Sequence, residues 1–255
     1  METKYDIPSE VLELKPKLIE IRRHIHQNPE LGHEEFQTAA YIAKFLEELG
    51  LEVHKEVGKT GVVGVLRGST TGPTILLRAD MDALPLTETT GLSFQSKNPG
   101  VHHACGHDGH VAILMIAAKV ITEKFKGKLK GNVKFVFQPS EEIFGGALSM
   151  IEDPKYPVLD SEPKVDECFG LHLLSIEGVG NLQLTKGSFS SFSVGFDVIV
   201  KGKGGHGSAP HLSNDPIFVA CQLIENFYAI TSRNINPCNK AVLTMGMIKG
   251  GAAKM

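Results

Sequence analysis

Short apolar runs alternate with helical patterns through residues 1–186 of this 255-residue chain, and this order restricts the fold more than any other feature. Runs such as "TILLRAD" and "NVKFVFQ" predict strands. The segments "EEFQTAAYIAKFLEEL" and "HVAILMIAAKVITEKF" have the apolar spacing and length of helices. Alternation of this kind is typical of an α/β layer. We therefore predict an α/β domain with a largely parallel central sheet.

The sequence pattern changes near residue 187. The run "FSSFSVGFDVIVKG" alternates like a strand, residues 216–230 predict a helix, and "AVLTMGMI" predicts a second strand. Such a β-α-β piece leaves sheet edges and half a core uncovered, so it should need more chain or a partner. We predict a second, smaller α+β unit over residues 187–255.

Charge and composition exclude several classes of function. The chain has 26 basic and 29 acidic residues without long runs of one sign, which does not predict binding to nucleic acid or to an anionic membrane surface. No apolar stretch is long enough to span a bilayer, and the first residues lack the apolar core of a signal peptide. The four cysteines are far apart in sequence, so we expect a reducing, cytoplasmic location. They are Cys105, Cys168, Cys221 and Cys238.

Ionisable side chains cluster where predicted strands end. They are Asp80 and Asp82 after "TILLR", Glu141 and Glu142 after "VKFVFQPS", His172 in "ECFGLHLL", and Cys105 and His107 in "HHACGHDGH" before a helix. In open α/β sheets, ligands bind in the crevice at the carboxyl ends of the strands. A thiolate, imidazoles and carboxylates together suit zinc or a neighbouring transition metal. The sequence therefore predicts a metal site at this edge.

Cys105 and His107 have two other interpretations. A lone cysteine is usually a small packed hydrophobe, but histidines on both sides of Cys105 favour metal ligation. Cys105 as a nucleophile with His107 as its base is a further hypothesis. Residues only two apart give poor geometry for it, because the imidazole must reach the attacking face of the sulfur and be oriented by a third group.

The carboxylates and His172 also have structural interpretations, which the residues alone leave open. Glu141 and Glu142 fit a solvated helix N-terminus, or a pair in which one binds metal and the other handles a proton. His172 fits a hydrogen-bonded core histidine as well as a ligand. Asp80 and Asp82 flank one residue, so in an extended chain they point the same way and could orient a ligating imidazole.

Six further histidines of the first 186 residues have weaker claims to the site. We expect His102 and His103 in a loop, His110 on the first helical turn or behind the ligands, and structural roles for His24, His26 and His33.

Six ordered motifs give the chain a family resemblance: "RRHIHQNPELGHEE", "RADMDALP", "HACGHDGH", "VFQPSEE", "GLHL" and "GKGGHGSAPH". In this order they resemble the co-catalytic metallo-amidohydrolases, which include hippurate hydrolases, N-acyl-amino-acid amidohydrolases and auxin-conjugate hydrolases. The resemblance reaches to about residue 251. It implies a zinc-aminopeptidase-like catalytic domain over residues 1–186 and a partial, ferredoxin-like lid and dimerisation domain over residues 187–255.

The resemblance also implies roles for individual residues. Cys105 matches a ligand that bridges two metal ions, and Glu141 matches the general base that deprotonates a metal-bound water. His206 matches a lid histidine that stabilises the oxyanion in the active site of the partner subunit. The further ligands would be His107, Glu142 and His172. With Glu141 and His206 we group Asp82 as the third candidate catalytic residue.

The expected reaction is metal-dependent hydrolysis of the amide bond of an N-acyl-amino acid. The cofactor would be a divalent transition metal, two ions per site, with zinc, manganese, cobalt or nickel as candidates. The expected partners are the small-molecule substrate and a second copy of the chain bound through the lid.

Family members continue beyond the position of Met255, and their last part carries a further histidine ligand. We therefore expect a truncated form with Cys105, His107 and His172 for one metal, and Cys105 and Glu142 for the other. The alternative hypothesis is a catalytically impaired, truncated paralogue that binds a single metal or only dimerises.

Overall fold

The central sheet has five strands in the order β1-β2-β4-β3-β5. They are β1 (Glu52–Val57), β2 (Gly61–Arg67), β3 (Thr70–Asp80), β4 (Lys130–Gln138) and β5 (Glu167–Gly170). A computed structural model describes residues 7–187 and 194–251. They belong to two compact units, residues 1–180, which contain this sheet, and residues 181–255.

The sheet is mixed, so the prediction of a largely parallel sheet is wrong while the α/β class is confirmed. Strand β3 pairs in parallel with β4 and with β5. Strand β2 is antiparallel to both β1 and β4. Only three residues separate β1 from β2, which is too short for the crossover that parallel neighbours need.

Helices cover the sheet of the first unit. They are α1 (Ser9–Leu12), α2 (Lys15–Gln27), α3 (Phe36–Glu48), α4 (His107–Phe125) and α5 (Gly146–Ile151). Pro16 lies in the first turn of α2, where its missing N–H costs no hydrogen bond. Helix α4 begins after Gly106, whose φ of 86° is left-handed and favours glycine.

Apolar side chains pack on both faces of the sheet. Strand β4 shows the alternation, since Phe135 and Phe137 join the larger cluster and Val136 joins the smaller one. The larger cluster includes Ile21 and Ile25 of α2, Ile42 and Leu46 of α3, and Met115 of α4. This packing fixes helix α4 against strands whose ends carry the predicted site.

The second unit contains the predicted helix but not the predicted strands. Helix α6 (Pro216–Arg233) is capped by Asp215, whose side chain accepts hydrogen bonds from the amides of Ile217 and Phe218. The predictions of strands are wrong for residues 194–200 and 241–248; the first run also includes residues 189–193, which lie outside the described residues. Within residues 194–251, β pairing is limited to one isolated bridge, between Lys203 and Asn214. A strand is stable only when neighbours pair with it and cover a face.

Candidate metal centre

The carboxyl ends of three parallel strands meet at one edge of the sheet. Asp80 ends β3, Glu141 and Glu142 follow β4, and His172 follows β5. His107, the first residue of α4, lies at the same edge of the sheet, with its Nε2 atom 3.6 Å from the Asp80 carboxylate. The structure thus brings together all four clusters that the sequence places at strand ends.

Cys105, His107 and His172 offer one ligand atom each within 4.8 Å of one another. The Cys105 Sγ lies 3.4 Å from His172 Nε2. His107 Nδ1 donates to the backbone carbonyl of Asp82 at 2.9 Å, and His172 Nδ1 donates to the carbonyl of Leu173 at 2.7 Å. Since Nδ1 carries the proton in each ring, both Nε2 lone pairs remain available to a metal.

Glu142 places an oxygen near His107, which this group shares with a second cluster. Its Oε1 lies 3.8 Å from His107 Nε2. Both atoms are buried and have no hydrogen-bond partner among the described residues. Unpaired buried polar atoms are costly, so two of them facing each other fit a site for a cation. The donor set of one sulfur, two imidazole nitrogens and a carboxylate matches a borderline transition metal.

Glu141 lies beside this group and completes a second cluster with His107 and Glu142. Its side chain is half-buried. Burial raises the pKa of Glu141, and the negative charges of Glu142 and Asp80 raise it further. A carboxylate with a raised pKa next to ligand atoms is a candidate for proton transfer.

Asp82 connects His107 to the Glu141–Glu142 turn. One oxygen of its side chain lies 3.3 Å from His107 Nδ1, and the other accepts a hydrogen bond from the Glu142 amide at 2.9 Å. Burial raises the pKa of Asp82, but the bonds from His107 and the amides of Glu142 and Glu141 outweigh this and lower it. Asp82 is therefore an anion that orients neighbouring residues.

His110 is buried and makes two hydrogen bonds, which fits the expected position behind the ligands and not the alternative position on the helix surface. Its Nδ1 donates to Asp80 at 2.5 Å, and its Nε2 accepts from the Leu173 amide at 2.8 Å. Both ring nitrogens are used, which argues against His110 as a ligand. Burial raises the pKa of Asp80, but the bond from His110 and the charge of Arg78 outweigh it and lower the pKa to about 2.

The surroundings of Cys105 argue against a thiol nucleophile. Burial raises the pKa of Cys105, and the negative charge of Glu142 raises it further, to about 12. Nucleophilic cysteines have a lowered pKa and a positive environment. A divalent cation bound here would supply that positive charge and hold the thiolate as a ligand.

Sequence reasoning missed the polar network behind helix α4. Asp108, next to His107, accepts hydrogen bonds from Arg22 at 3.0 Å and from His26 at 2.8 Å. The other nitrogen of the His26 ring lies 3.2 Å from Glu88, and the bond to Asp108 raises the pKa of His26. This network fixes the first turn of α4. Its members come from distant segments, and the sequence offers no signal for their pairing beyond the family motif.

Neither of the histidines expected in a loop is a free surface residue. His102 bridges to Leu84 by backbone pairing, and its side chain lies 3.9 Å from Glu88. His103 is buried, and burial lowers its pKa to about 4.

His206 belongs to the second unit, so its predicted role in a partner's active site stays a prediction. Its Nδ1 accepts hydrogen bonds from the Ser208 amide at 3.3 Å and from the Ser208 hydroxyl at 2.8 Å. An amide can only donate, so a neutral His206 ring carries its proton on Nε2. The predicted role of His206, to stabilise an oxyanion, requires a donor of this kind.

Comparisons with known proteins identify relatives of the chain. Residues 76–238 match the model of peptidase family M20/M25/M40. The chain is 45% identical over 244 residues to a hippurate hydrolase from Campylobacter jejuni and 44% identical over 245 residues to an N-acetyl-L-cysteine deacetylase from Bacillus subtilis. Each alignment covers 96% of this chain, which spans 62% and 57% of the lengths of these two relatives.

Solved structures show the same fold. A structure described as an aminohydrolase from methicillin-resistant Staphylococcus aureus matches with a TM-score of 0.75 and 37% identity, over 96% of this chain and 64% of that one. A Bacillus subtilis structure described as a dinuclear metal-binding peptidase of the M20 family matches with a TM-score of 0.58 and 40% identity, over 63% of this chain and 43% of that one.

The chain belongs to peptidase family M20/M25/M40. Among the described residues, every helix is too short or too polar to cross a bilayer.

Proposed function

We propose that the chain hydrolyses the amide bond of N-acyl-amino acids with a pair of divalent metal ions. One observation carries the proposal: Cys105, His107 and His172 offer ligand atoms within 4.8 Å of one another, and a Glu142 oxygen lies 3.8 Å from His107 Nε2, while the Nδ1 atoms of both histidines are bonded to backbone carbonyls. The names of the two curated relatives, a hippurate hydrolase and an N-acetyl-L-cysteine deacetylase, support the substrate class.

Cys105 is the proposed bridging ligand, and His107, Glu142 and His172 are the further ligands within this chain. Bound metal supplies a water of lowered pKa and polarises the amide carbonyl. Zinc, manganese, cobalt and nickel are the candidate ions, because thiolate, imidazole and carboxylate suit each of them.

Glu141 is the proposed general base. It accepts a proton from the attacking water at a carboxylate oxygen and returns it to the leaving nitrogen, so that a carboxylic acid and an amino acid are released. Asp82 holds the His107 ring and the Glu142 amide in place during these steps.

His206 is the proposed oxyanion donor, supplied from the second unit of a partner subunit. The tautomer that Ser208 favours leaves Nε2–H free for this task. Exposed apolar side chains of α6, which include Ile217, Phe218 and Val219, are consistent with homodimerisation through residues 187–255. We place the protein in the cytoplasm, with neither nucleic acid nor membrane as a partner.

The test compares Glu141→Gln with Glu152→Gln, which makes the same change at an exposed site. Each protein is stripped with a chelator, reloaded with zinc, manganese, cobalt or nickel, and assayed for metal content and for hydrolysis of hippurate and N-acetyl-amino acids. We expect two ions per chain, and a loss of kcat of about 10²- to 10⁴-fold in Glu141→Gln alone. Wild-type protein with one ion and no turnover would support the impaired paralogue instead. Equal activity of the two variants would remove Glu141 from the mechanism.

A further inference from the structure

We propose that Glu35 is a positioning residue for the Glu141–Glu142 turn. Its side chain is fully buried in the loop between α2 and α3. One carboxylate oxygen accepts the backbone amide of Ser140 at 2.8 Å, and the other accepts the hydroxyl of Thr60 at 2.6 Å. The inference rests on the proposed function, because Ser140 directly precedes the proposed base.

The burial of Glu35 is unusual for a carboxylate. Among the described residues it forms no ion pair, so its two hydrogen bonds are what compensates for the loss of water. A residue needed only for packing would be apolar at such a position. A carboxylate is needed here because it accepts hydrogen bonds, and one of its donors is the backbone amide of Ser140, in the Glu141–Glu142 turn.

Ser140 shows why this turn needs an external support. Its φ is 52°, in the left-handed region that a residue with a side chain rarely adopts. Such conformations persist when surrounding contacts enforce them, and they concentrate at functional sites. The Ser140 Oγ is buried and has no hydrogen-bond partner among the described residues, so its own side chain does not provide that support.

Two buried carboxylates hold the turn from opposite ends. Glu35 binds the amide of Ser140, before Glu141, and Asp82 binds the amide of Glu142, after it. The peptide that carries Glu141 is thereby fixed between a loop and the end of strand β3. Loss of the Glu35 contact should let the turn relax, which would displace the Glu141 carboxylate and the Glu142 ligand atom together.

Glu30 supplies a matched control from the same loop. Its two carboxylate oxygens also accept backbone amides, those of Gln37 at 3.1 Å and Thr38 at 2.8 Å, but these belong to helix α3. Glu30→Leu therefore removes a similar pair of hydrogen bonds without touching the catalytic turn. Glu35→Gln is the conservative variant, because its amide oxygen accepts from Ser140 while the Thr60 hydroxyl turns to accept from its amino group.

The experiment measures three quantities for wild type, Glu35→Leu, Glu35→Gln and Glu30→Leu. They are the hydrogen-exchange rate of the Ser140 amide in metal-free protein, the affinity for cobalt by chelator competition, and kcat and KM for hippurate. For Glu35→Leu we expect faster exchange at Ser140, cobalt affinity reduced about 10- to 100-fold, and a loss of about 100-fold in kcat that exceeds any change in KM. Glu35→Gln should have an exchange rate, a cobalt affinity and a kcat closer to those of wild type than Glu35→Leu has. Glu30→Leu should have the wild-type exchange rate at the Ser140 amide.

Exchange at Ser140 separates this inference from the proposed function. If wild type does not hydrolyse amides but Glu35→Leu still exchanges faster at Ser140 and binds cobalt more weakly, the proposed function fails and the positioning role stands. Wild-type exchange and affinity in a folded Glu35→Leu would overturn the inference. If Glu35→Leu does not fold, Thr60→Val decides: faster exchange at Ser140 that Thr60→Ser reverses supports the role, and unchanged exchange overturns it.

Discussion

The Nε2 atom of His110 accepts a hydrogen bond from the backbone amide of Leu173 at 2.8 Å. Leu173 is the neighbour of His172, a predicted ligand, and His110 Nδ1 is bonded to Asp80 at the end of β3. One buried ring thus connects helix α4, strand β3 and the segment after β5. The position of the His172 ring depends on this contact as well as on its own bond to Leu173.

Substitution His110→Phe should weaken metal binding although His110 is not a ligand. Phenylalanine fills the same space but leaves the Leu173 amide unpaired and removes one of the donors to the buried Asp80 carboxylate. Loss of a residue that orients a ligand costs about 10- to 100-fold in metal affinity. Chelator competition with cobalt measures it. His24→Phe, on the exposed face of α2, is the control, and equal affinity in the two variants would contradict the role.

Cobalt loading should give a thiolate-to-metal charge-transfer band that depends on Cys105. The sulfur is 3.4 Å from His172 Nε2, and thiolates are strong ligands for borderline metals. We expect the near-ultraviolet band to disappear in Cys105→Ser and to persist in Cys168→Ser, which alters an exposed cysteine on β5. A band that survives Cys105→Ser would show that the sulfur does not coordinate the ion.

The convergence of the site could be predicted from the sequence because it depends on topology. Residues that follow parallel strands meet at one edge whatever their separation in the chain, so Asp80, Glu141 and His172 could be grouped without coordinates. The mixed character of the sheet does not follow from periodicity, which identifies strands but does not give their direction. The connection of three residues between β1 and β2 does indicate an antiparallel pair, because parallel neighbours need a longer crossover.

The supports of the site could not be predicted in the same way. Glu35 and Ser140 are separated by 105 residues, and Glu35 precedes a helix like many solvated glutamates. His26 and Asp108 are joined by a side-chain bond across 82 residues, which periodicity cannot reveal. In residues 194–251 the alternating pattern predicted strands that do not form, because a pattern supplies a face and not the neighbour that pairs with it.

Gly106→Ala should destabilise the protein and disturb the site. The φ of Gly106 is 86°, and a left-handed residue with a Cβ costs about 1–2 kcal/mol. Space is available, since the added Cβ would meet Leu173 at 3.8 Å, so the cost comes from the backbone. Urea unfolding should show this loss. Gly170→Ala, where φ is not left-handed and the nearest atom is also at 3.8 Å, should be neutral or slightly stabilising. Equal free energies of unfolding for the two variants would contradict a left-handed backbone at Gly106.

Lys134 should make the stability of the protein depend on pH in the alkaline range. Its side chain is fully buried on β4, where Nζ donates to the carbonyls of Val158 at 2.8 Å and Ser161 at 2.9 Å. Burial lowers the pKa of Lys134 to about 8, below its ordinary value of 10.5. A neutral amine keeps two N–H donors, which is enough for both carbonyls.

The direction of this effect follows from proton uptake on unfolding. Below about pH 8 both states hold the proton, whereas from about pH 8 to 10.5 the unfolded chain binds a proton that the folded protein lacks. The free energy of unfolding should therefore gain up to about 3 kcal/mol from Lys134 across this window. We expect Lys134→Met to lose this contribution and Lys130→Met, an exposed change on the same strand, to keep it. Urea unfolding at pH 7.5, 9 and 10.5 measures it, and parallel pH curves for wild type and Lys134→Met would show that the buried amine keeps an ordinary pKa.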